Sequence, residues 1–285
     1  MNDSLYNGDG YRAPGDLLKR HGLLPKKSWG QCFLHEVHVA RRIVDAVSRD
    51  QDALVVEIGA GLGALTGLLA RRFRRVVAIE RDRDLVAVLR DELASETNVE
   101  ILEANALSFD FHSLGEPVHV VGNLPYNISS PLLFAILAQR DVVRDATVML
   151  QRELAQRLVA PPGSRRYGSP SVTLGLRATI TTVLDVGRGA FLPPPKVDST
   201  VLHFDFTVPA VLSAPAEALF EEVVRTAFAQ RRKKLRRALT QRYPRPLVEA
   251  ALQGAEVDGD LRAERLDLPS FARLAESFAV ELGRG

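Results

Sequence analysis

The first two thirds of the chain alternate between short runs of β-branched and other apolar residues and longer segments whose apolar positions recur at helical spacing. This alternation is typical of a doubly wound parallel sheet, in which a helix follows each strand. The predicted strands cover residues 54–58, 76–80, 99–102, 118–121 and 147–150. The predicted helices cover residues 36–48, 65–72, 82–92, 130–139 and 153–159. The expected fold class is therefore α/β, with a Rossmann-like sheet.

The last third of the chain changes character. Two more β-rich stretches, 172–186 and 200–206, are expected to close the sheet, and the proline-rich segment 191–196 between them is predicted to be irregular. After residue 209 the pattern is helical, with amphipathic segments at 217–232, 234–243, 246–252 and 269–282. The sequence thus predicts a flexible N-terminal arm over 1–26, a Rossmann-like domain over 27–207 and a small all-helical domain over 208–285.

Composition narrows the class of protein. Hydrophobic residues make up 46% and charged residues 25% of the 285 residues, and no apolar run approaches the roughly 20 residues that a membrane span needs. Residues 1–15 are polar and glycine-rich, without the apolar centre of a signal peptide. The single cysteine, Cys32, excludes an internal disulfide, and the histidines have no partners at metal-ligand spacing. We therefore expect a cytoplasmic protein without a membrane segment or a metal site.

Charge is unevenly distributed along the chain. The net formal charge is only +2, yet residues 223–243 contain no acidic residue and eight basic ones. Apolar residues at helical spacing would anchor this run on a packed helix or helix pair, and the basic side chains could neutralise several phosphates. The alternative is an ordinary solvated helical face. The basic run predicts RNA contacts by Arg231, Arg232, Lys233 and Lys234.

A glycine-rich turn follows the first predicted strand of the sheet. Gly59 and Gly61 lack a Cβ, so the backbone can approach a ligand, and Glu80 follows 21 residues after Gly59, where a carboxylate can accept ribose hydroxyls. With Ala64, the same glycines also fit a nicotinamide-dinucleotide fingerprint, so two cofactor classes are open. Glu57 favours a cationic cofactor such as S-adenosylmethionine, because a carboxylate would repel a pyrophosphate.

Residues 123–130, with the sequence Asn-Leu-Pro-Tyr-Asn-Ile-Ser-Ser, follow the fourth predicted strand. An adenine amino group is a poor nucleophile because its lone pair is delocalised into the ring. The Asn123 side-chain oxygen can accept one of its N–H groups, and the Leu124 carbonyl, oriented by the extended geometry that Pro125 imposes, can accept the other. Tyr126 offers a ring for stacking on an extruded base. The segment therefore suits transfer of a methyl group to adenine, without a strong general base.

These motifs together resemble those of the small-subunit ribosomal RNA adenine dimethyltransferase family. The resemblance runs from about Lys27 to about Leu274, and its marks lie at residues 30–34, 57–61, 80, 123–129, 191–199 and 228–233. It implies transfer of two methyl groups from S-adenosylmethionine to the N6 of each of two adjacent adenosines near the 3′ end of the small-subunit RNA. The implied partners are this RNA and the pre-ribosomal particle, and the protein is expected to act as a monomer.

The resemblance also implies roles for individual residues. Methyl-donor contacts fall on Cys32, Leu34, Gly59, Gly61, Glu80, Asn105 and Asn123. The catalytic residues are Asn123, Leu124, Tyr126 and Phe191, the last as a second ring against the substrate base. The family usually has Asn where this chain has Cys32 and Asp where it has Asn105. Weaker cofactor binding is expected from both departures, because Cys32 lacks an amide.

Three other functions are consistent with parts of the pattern. A resistance methylase that acts on large-subunit RNA would use the same chemistry, and a non-catalytic assembly factor would keep the fold without the reaction. A nicotinamide oxidoreductase would use only the glycine turn. The retention of Asn123, Tyr126, Glu80 and Phe191 favours an active methyltransferase.

Overall fold

A computed structural model describes residues 6–7, 11–26, 29–207 and 212–283. The chain divides into two compact units. The first unit takes Met1–Ala155 and Thr181–Thr207, and the second takes Gln156–Ile180 and Val208–Gly285. The second unit thus also includes residues 156–180, which lie before the predicted domain boundary at residue 208.

A seven-stranded sheet forms the centre of the first unit. Its strands are β4 (Leu54–Ile58), β5 (Arg75–Glu80), β6 (Val99–Glu103), β7 (Val118–Asn123), β8 (Val143–Gln151), β9 (Thr179–Val186) and β11 (Ser199–Asp205), in the order β6-β5-β4-β7-β8-β11-β9. The pairs β4–β5, β5–β6, β4–β7 and β7–β8 are parallel, and β8–β11 is antiparallel. Short strands β1 (Tyr6–Asn7), β2 (Tyr11–Arg12), β3 (Phe33–Leu34) and β10 (Phe191–Leu192) form two small ladders.

The order of the strands creates a crevice beside β4. All five residues of β4 are buried, as expected for a central parallel strand with both faces covered. From β4 the chain moves outward through β5 and β6 and then returns to β7 on the other side of β4. Ligands of open α/β sheets bind at such a reversal, outside the carboxyl ends of the strands.

Helices cover this sheet and form most of the second unit. The first six are α1 (Pro14–Arg20), α2 (Val37–Asp45), α3 (Thr66–Arg72), α4 (Arg83–Glu92), α5 (Ser129–Leu137) and α6 (Arg152–Leu158). The second unit contains α7 (Ser169–Gly175), α8 (Ala214–Ala229), α9 (Leu235–Leu239), α10 (Arg245–Gly254) and α11 (Leu268–Glu281). Within the described residues, no helix is both long and apolar enough to cross a membrane.

Three local predictions differ from the structure. Residues 169–175 form helix α7 and not a strand, because Val172 is fully buried in the helical core of the second unit. Phe191 and Leu192, predicted to be irregular, pair as β10 with β3. The predicted N-terminal arm contains helix α1, whose Leu17 and Leu18 are buried against apolar residues of the first unit, so residues 14–20 are packed and not a loose arm.

Candidate active site

A pocket of about 370 Å³ opens in the first unit, next to the ends of β4, β5 and β7. It brings together nine of the residues predicted for the cofactor and for catalysis: Cys32, Leu34, Gly59, Gly61, Glu80, Asn105, Asn123, Leu124 and Tyr126. These residues come from five separate parts of the sequence. They meet because the carboxyl ends of neighbouring parallel strands lie at one edge of the sheet.

The floor of the pocket is the glycine turn after β4. Gly59 and Gly61 have φ angles of +71° and +60°, a left-handed conformation that favours glycine. The Gly61 N–H donates to Oε2 of Glu80 at 2.9 Å, and Oε1 of Glu80 accepts from the backbone of Arg81 and Asp82 at 2.7 and 2.9 Å. The Glu80 carboxylate is therefore held rigidly against the turn.

Asn123 ends β7 and has its side chain oriented by a distant segment. Its Nδ2 donates to the Cys32 carbonyl at 3.2 Å. No group in the described part of the chain donates to its Oδ1. The contact uses the backbone carbonyl of Cys32, so it does not depend on the cysteine side chain. Oδ1 of Asn123 is available as an acceptor.

The loop after Asn123 is built around Pro125. The Pro125 carbonyl accepts from the Ile128 N–H at 3.1 Å and from Ser129 Oγ at 3.0 Å, which closes a turn ahead of helix α5. Leu124 is 1% exposed and its N–H donates to the Met149 carbonyl. Among the described residues, no hydrogen bond reaches the Leu124 carbonyl. Two acceptors, Asn123 Oδ1 and Leu124 O, are thus left over at consecutive positions of the pocket wall.

Tyr126 lies in the same loop and is tethered through its hydroxyl. Tyr126 Oη and Ser199 Oγ are 2.7 Å apart, which connects the loop to the start of β11. Burial raises the pKa of Tyr126 above its ordinary value, so the phenol is protonated at neutral pH. The ring lines the pocket and can present an apolar face to a planar ligand.

Phe191 does not join the other predicted residues. It pairs with Leu34 in the β10–β3 ladder, and its side chain is 2% exposed within the apolar core that surrounds α2 and α3. It is absent from the pocket lining. The prediction that its ring packs against a substrate base is therefore corrected: burying a large apolar ring in the core is the dominant favourable effect at this position.

Asn105 lines the pocket but its oxygen already has a partner. It caps a short 3₁₀ helix, Ala106–Ser108, by accepting from the Leu107 N–H at 3.2 Å. The second lone pair of Oδ1 and both hydrogens of Nδ2 stay available to a ligand. The Cys32 thiol, also on the lining, has its pKa raised by burial and stays protonated at neutral pH.

Glu57 is a buried carboxyl on the pocket wall. It is 2% exposed, and Oε2 accepts from Thr66 Oγ1 at 2.6 Å. The pKa of Glu57 is raised to about 8, mainly by desolvation and further by the negative charge of Glu80, while the hydrogen bond from Thr66 opposes the rise. A positively charged group bound in this pocket would offset that desolvation, because it favours the ionised carboxylate.

Exchanging Glu57 for Gln tests this carboxyl. Between the unfolded value of 4.5 and the folded pKa of about 8, the folded protein binds a proton that the unfolded chain has lost. Wild-type stability should therefore fall as the pH rises from 5.5 to 7.5, by at most about 1.4 kcal/mol per pH unit from this group. Glu57→Gln should remove that slope while still accepting from Thr66. Thermal unfolding of both proteins across this range measures it, and parallel curves would contradict the assignment.

Sequence reasoning missed Gly122 as a residue that shapes the site. A Cβ built at Gly122 would lie 2.5 Å from the Ile58 carbonyl oxygen, in the neighbouring strand β4. Only glycine allows β7 to approach β4 this closely, one residue before Asn123. The available signal was a glycine directly after the predicted strand 118–121, and a glycine in a strand often marks close backbone approach.

The predicted RNA-binding residues lie in the second unit and have different surroundings. Arg231 Nη2 donates to the carbonyls of Arg165 and Tyr167, both at 2.9 Å, and lies 3.5 Å from Glu264. Lys234 Nζ lies 3.2 Å from Asp260. The side chains of Arg232 and Lys233 are exposed and have no ion-pair or hydrogen-bond partner in the described ranges. Of these four predicted RNA-binding residues, two therefore have internal side-chain partners and two have none among the described residues.

The sequence predicted no metal site. Among the described residues, His21, Asp91 and Glu92 place three possible ligand atoms within 4.8 Å of one another, outside the pocket. The buried Glu92 carboxylate already faces the Arg20 guanidinium at 2.7 Å and His21 at 2.8 Å. A cation at this position would compete with an arginine that is already in place.

Comparison with known proteins agrees with this geometry. The family model described as ribosomal RNA adenine dimethylase matches residues 23–280. "Ribosomal RNA small subunit methyltransferase A" of Pseudomonas fluorescens strain Pf0-1 is 42% identical over 262 residues, which covers 90% of this chain and 94% of that protein. Among solved structures, a dimethyladenosine transferase from Plasmodium falciparum has a TM-score of 0.75 at 25% identity, over 85% of this chain and 95% of that one. The 23S rRNA methyltransferase ErmE has a TM-score of 0.71 at 29% identity, over 86% and 99% of the two chains.

The fold and the pocket define a class I S-adenosylmethionine-dependent methyltransferase. The residues present fit this methyl donor, because the left-handed glycines keep the turn free of Cβ atoms, while Glu80 and Glu57 suit ribose hydroxyls and positive charge. The chain belongs to the ribosomal RNA adenine dimethylase family. This membership decides between the two cofactor classes that the glycine turn left open and excludes the nicotinamide alternative.

Proposed function

We propose that this protein dimethylates N6 of two adjacent adenosines near the 3′ end of the small-subunit ribosomal RNA. The observation that carries the proposal is the pair of free acceptors at consecutive positions, Asn123 Oδ1 and the Leu124 carbonyl, on the wall of a pocket that also contains the glycine turn. The choice of the small-subunit RNA is supported by curated relatives that bear this substrate in their names.

The two acceptors account for the activation of the adenine amine. An exocyclic amine has two N–H donors, and holding both draws its nitrogen out of conjugation with the ring. The Cys32 carbonyl holds Nδ2 of Asn123, which turns Oδ1 towards one donor, and Leu124 supplies the other acceptor. The Tyr126 ring would lie against one face of the extruded base, with its hydroxyl fixed by Ser199. The protonated product amine is acidic, so water suffices to remove its proton.

The methyl donor would be held by residues of the same pocket. We assign Glu80 to the ribose hydroxyls, Asn105 to the adenine ring, and Gly59, Gly61, Cys32, Leu34 and Asn123 to the remaining contacts. When bound, S-adenosylmethionine supplies an electrophilic methyl group on a positively charged sulfur. Glu57 stabilises that charge from the pocket wall. For the second methyl group to be added, the pocket must also accept monomethyladenine.

The substrate is proposed to be a pre-ribosomal particle in the cytoplasm, engaged by a single copy of the protein. Free ribosomal RNA and assembled particles both present phosphates, and the exposed cations of the second unit suit either. Arg232 and Lys233 are the strongest candidates for phosphate contact, because internal partners already occupy Arg231 and Lys234.

A paired exchange tests the assignment of these cations. The double variant Arg232→Ala/Lys233→Ala should weaken RNA binding and lower the slope of log K against log salt by about 2, since each cation that contacts a phosphate contributes about 1. The matched control Arg242→Ala/Arg245→Ala also removes two positive charges, but these two arginines already have the acidic partners Glu222 and Glu249. Equal slopes for the wild type and Arg232→Ala/Lys233→Ala would show that these two residues are ordinary solvated surface cations and do not contact phosphates.

The function itself is tested by mapping the methyl groups. The protein is incubated with a labelled methyl donor and either unmodified small-subunit particles or large-subunit particles, and the labelled nucleotides are identified. We expect two dimethylated, adjacent adenosines near the 3′ end of the small-subunit RNA. Label confined to the large-subunit RNA would establish the resistance-methylase alternative, which shares the fold of ErmE. No label in either RNA would favour the non-catalytic assembly factor.

A further inference from the structure

Trp29 is an aromatic side chain at the pocket that the assigned functions do not use. It is the single tryptophan of the chain and is 42% exposed, although it lines the pocket. The Arg81 guanidinium lies 5.3 Å from the centre of its ring and the Lys26 ammonium 5.4 Å from it. The ring contacts two cations, and the 42% of its surface that stays exposed is available to a ligand in the pocket.

Hydrogen bonds on both sides of Trp29 hold this ring in position. Lys26 Nζ donates to Oδ1 of Asp82 at 2.6 Å, and Gln31 Nε2 donates to Oδ2 of the same carboxylate at 2.7 Å. The Lys26 N–H also donates to Oε1 of Gln31 at 2.8 Å, which links the two ends of the segment. Asp82 is 3% exposed, and hydrogen bonds from Lys26 and Gln31 help to hold its pKa below the ordinary value.

The hydrogen bonds of Lys26 and Gln31 to Asp82 place the indole of Trp29 at one particular end of the pocket. Asp82 and Arg81 directly follow Glu80 at the carboxyl end of β5, whereas Asn123 lies at the end of β7. Strand β4 separates β5 from β7, and strands lie about 4.8 Å apart, so the two ends of the pocket are about 10 Å from each other. Trp29 contacts Arg81 and therefore belongs to the Glu80 end, away from the acceptors for the substrate base.

We propose that the Trp29 indole stacks on the adenine of the methyl donor and closes the adenosine end of the pocket. The proposal rests on the assignment of Glu80 to the donor ribose. A ribose held by Glu80 carries a purine towards Asn105 and Arg81, which line the same pocket as Trp29, and Arg81 contacts the Trp29 ring directly. Stacking suits this ring because every purine presents a flat π-face, and aromatic stacking needs no hydrogen-bond match.

The single tryptophan makes the first test direct. Intrinsic tryptophan fluorescence is followed while S-adenosylhomocysteine is added to the intact protein without RNA, and calorimetry gives the dissociation constant independently. We expect a saturable change in fluorescence that gives the same dissociation constant as calorimetry. Binding seen by calorimetry with silent fluorescence, or a change only after RNA is added, would overturn the stacking while leaving the cofactor site in place. Absence of calorimetric binding would overturn the cofactor site as well.

Two variants of Trp29 provide the second test. Trp29→Ala should raise the dissociation constant for S-adenosylhomocysteine about 30-fold, the middle of the range for loss of one base–aromatic stack. Trp29→Phe, which keeps a ring, should recover most of that loss. At saturating methyl donor, kcat of Trp29→Ala should stay within twofold of wild type, so the defect appears in KM.

A nearby residue supplies the matched control for these variants. Leu24 is 85% exposed in the same N-terminal segment and does not line the pocket. Leu24→Ala should bind S-adenosylhomocysteine as the wild type does. A dissociation constant for Trp29→Ala within twofold of that control, in a protein with an unchanged circular dichroism spectrum, would overturn the proposal.

Discussion

Asn123→Ala is expected to lower kcat by about 100- to 1,000-fold at saturating methyl donor, the loss found when one oriented hydrogen-bonding group is removed from a reacting centre. The variant loses Oδ1, one of the two acceptors proposed for the adenine amine, and leaves the Cys32 carbonyl without its donor. Single-turnover methylation of small-subunit particles measures the effect on the chemical step, separately from binding and product release.

Two measurements make this result specific. Asn123→Ala should bind RNA as the wild type does, because the cations proposed for RNA contact lie in the second unit. Asn123→Asp keeps an acceptor oxygen for the amine, although it replaces the donor to Cys32 with a charged oxygen, so it should retain more activity than the Ala variant. A folded Asn123→Ala protein that methylates at the wild-type rate would remove this residue from its proposed catalytic role.

Gly122→Ala is expected to lower the free energy of unfolding by about 2–3 kcal/mol, towards the upper end for overpacking in a core. The added Cβ would meet backbone atoms, the Ile58 carbonyl oxygen at 2.5 Å and carbon at 3.4 Å, and these cannot rotate away as a side chain can. Strands β4 and β7 must separate instead, and they carry Gly59 and Asn123 at their ends. The melting temperature should therefore fall by roughly 5–10 °C, and affinity for S-adenosylhomocysteine should weaken.

The control for this variant is another glycine of the first unit. A Cβ at Gly187 would meet nothing within 4 Å, and its φ of −68° suits any residue. Gly187→Ala should leave both the melting temperature and the affinity for S-adenosylhomocysteine close to those of the wild type. Equal melting temperatures for Gly122→Ala and Gly187→Ala would show that β7 can move away from β4 at little cost.

The central strands were predictable because their signal is local. Each of β4, β5, β6 and β7 is a short apolar run with polar or turn residues after it, and the predicted bounds agree with the structure to within about two residues. The helix at Ser169–Gly175 was not predictable in this way. Its β-branched residues favour a strand, and only packing of Val172 into the helical core makes a helix the better state.

The pocket was predictable for a related reason. The glycine turn, Glu80 and Asn123 each follow directly on a predicted strand, and parallel strands bring such residues to one edge. The position of the Phe191 ring was not predictable in this way, because it depends on the pairing of β10 with β3. The local sequence around Trp29 and Gly122 did not identify their roles, since these depend on Asp82 and Ile58, residues of other elements.

The sequence by itself determined the central strands β4 to β7, the glycine turn and the Asn-Leu-Pro-Tyr segment, because propensity, periodicity and backbone restriction act between near neighbours. The tertiary structure decided which atoms are free to act. The Cys32 carbonyl, 91 residues from Asn123, accepts a hydrogen bond from Nδ2 of the Asn123 amide, which leaves Oδ1 available. Arg231 and Lys234 have internal partners, which distinguishes them from Arg232 and Lys233. Hydrogen bonding and burial depend on elements that meet only after folding, so no local pattern records them.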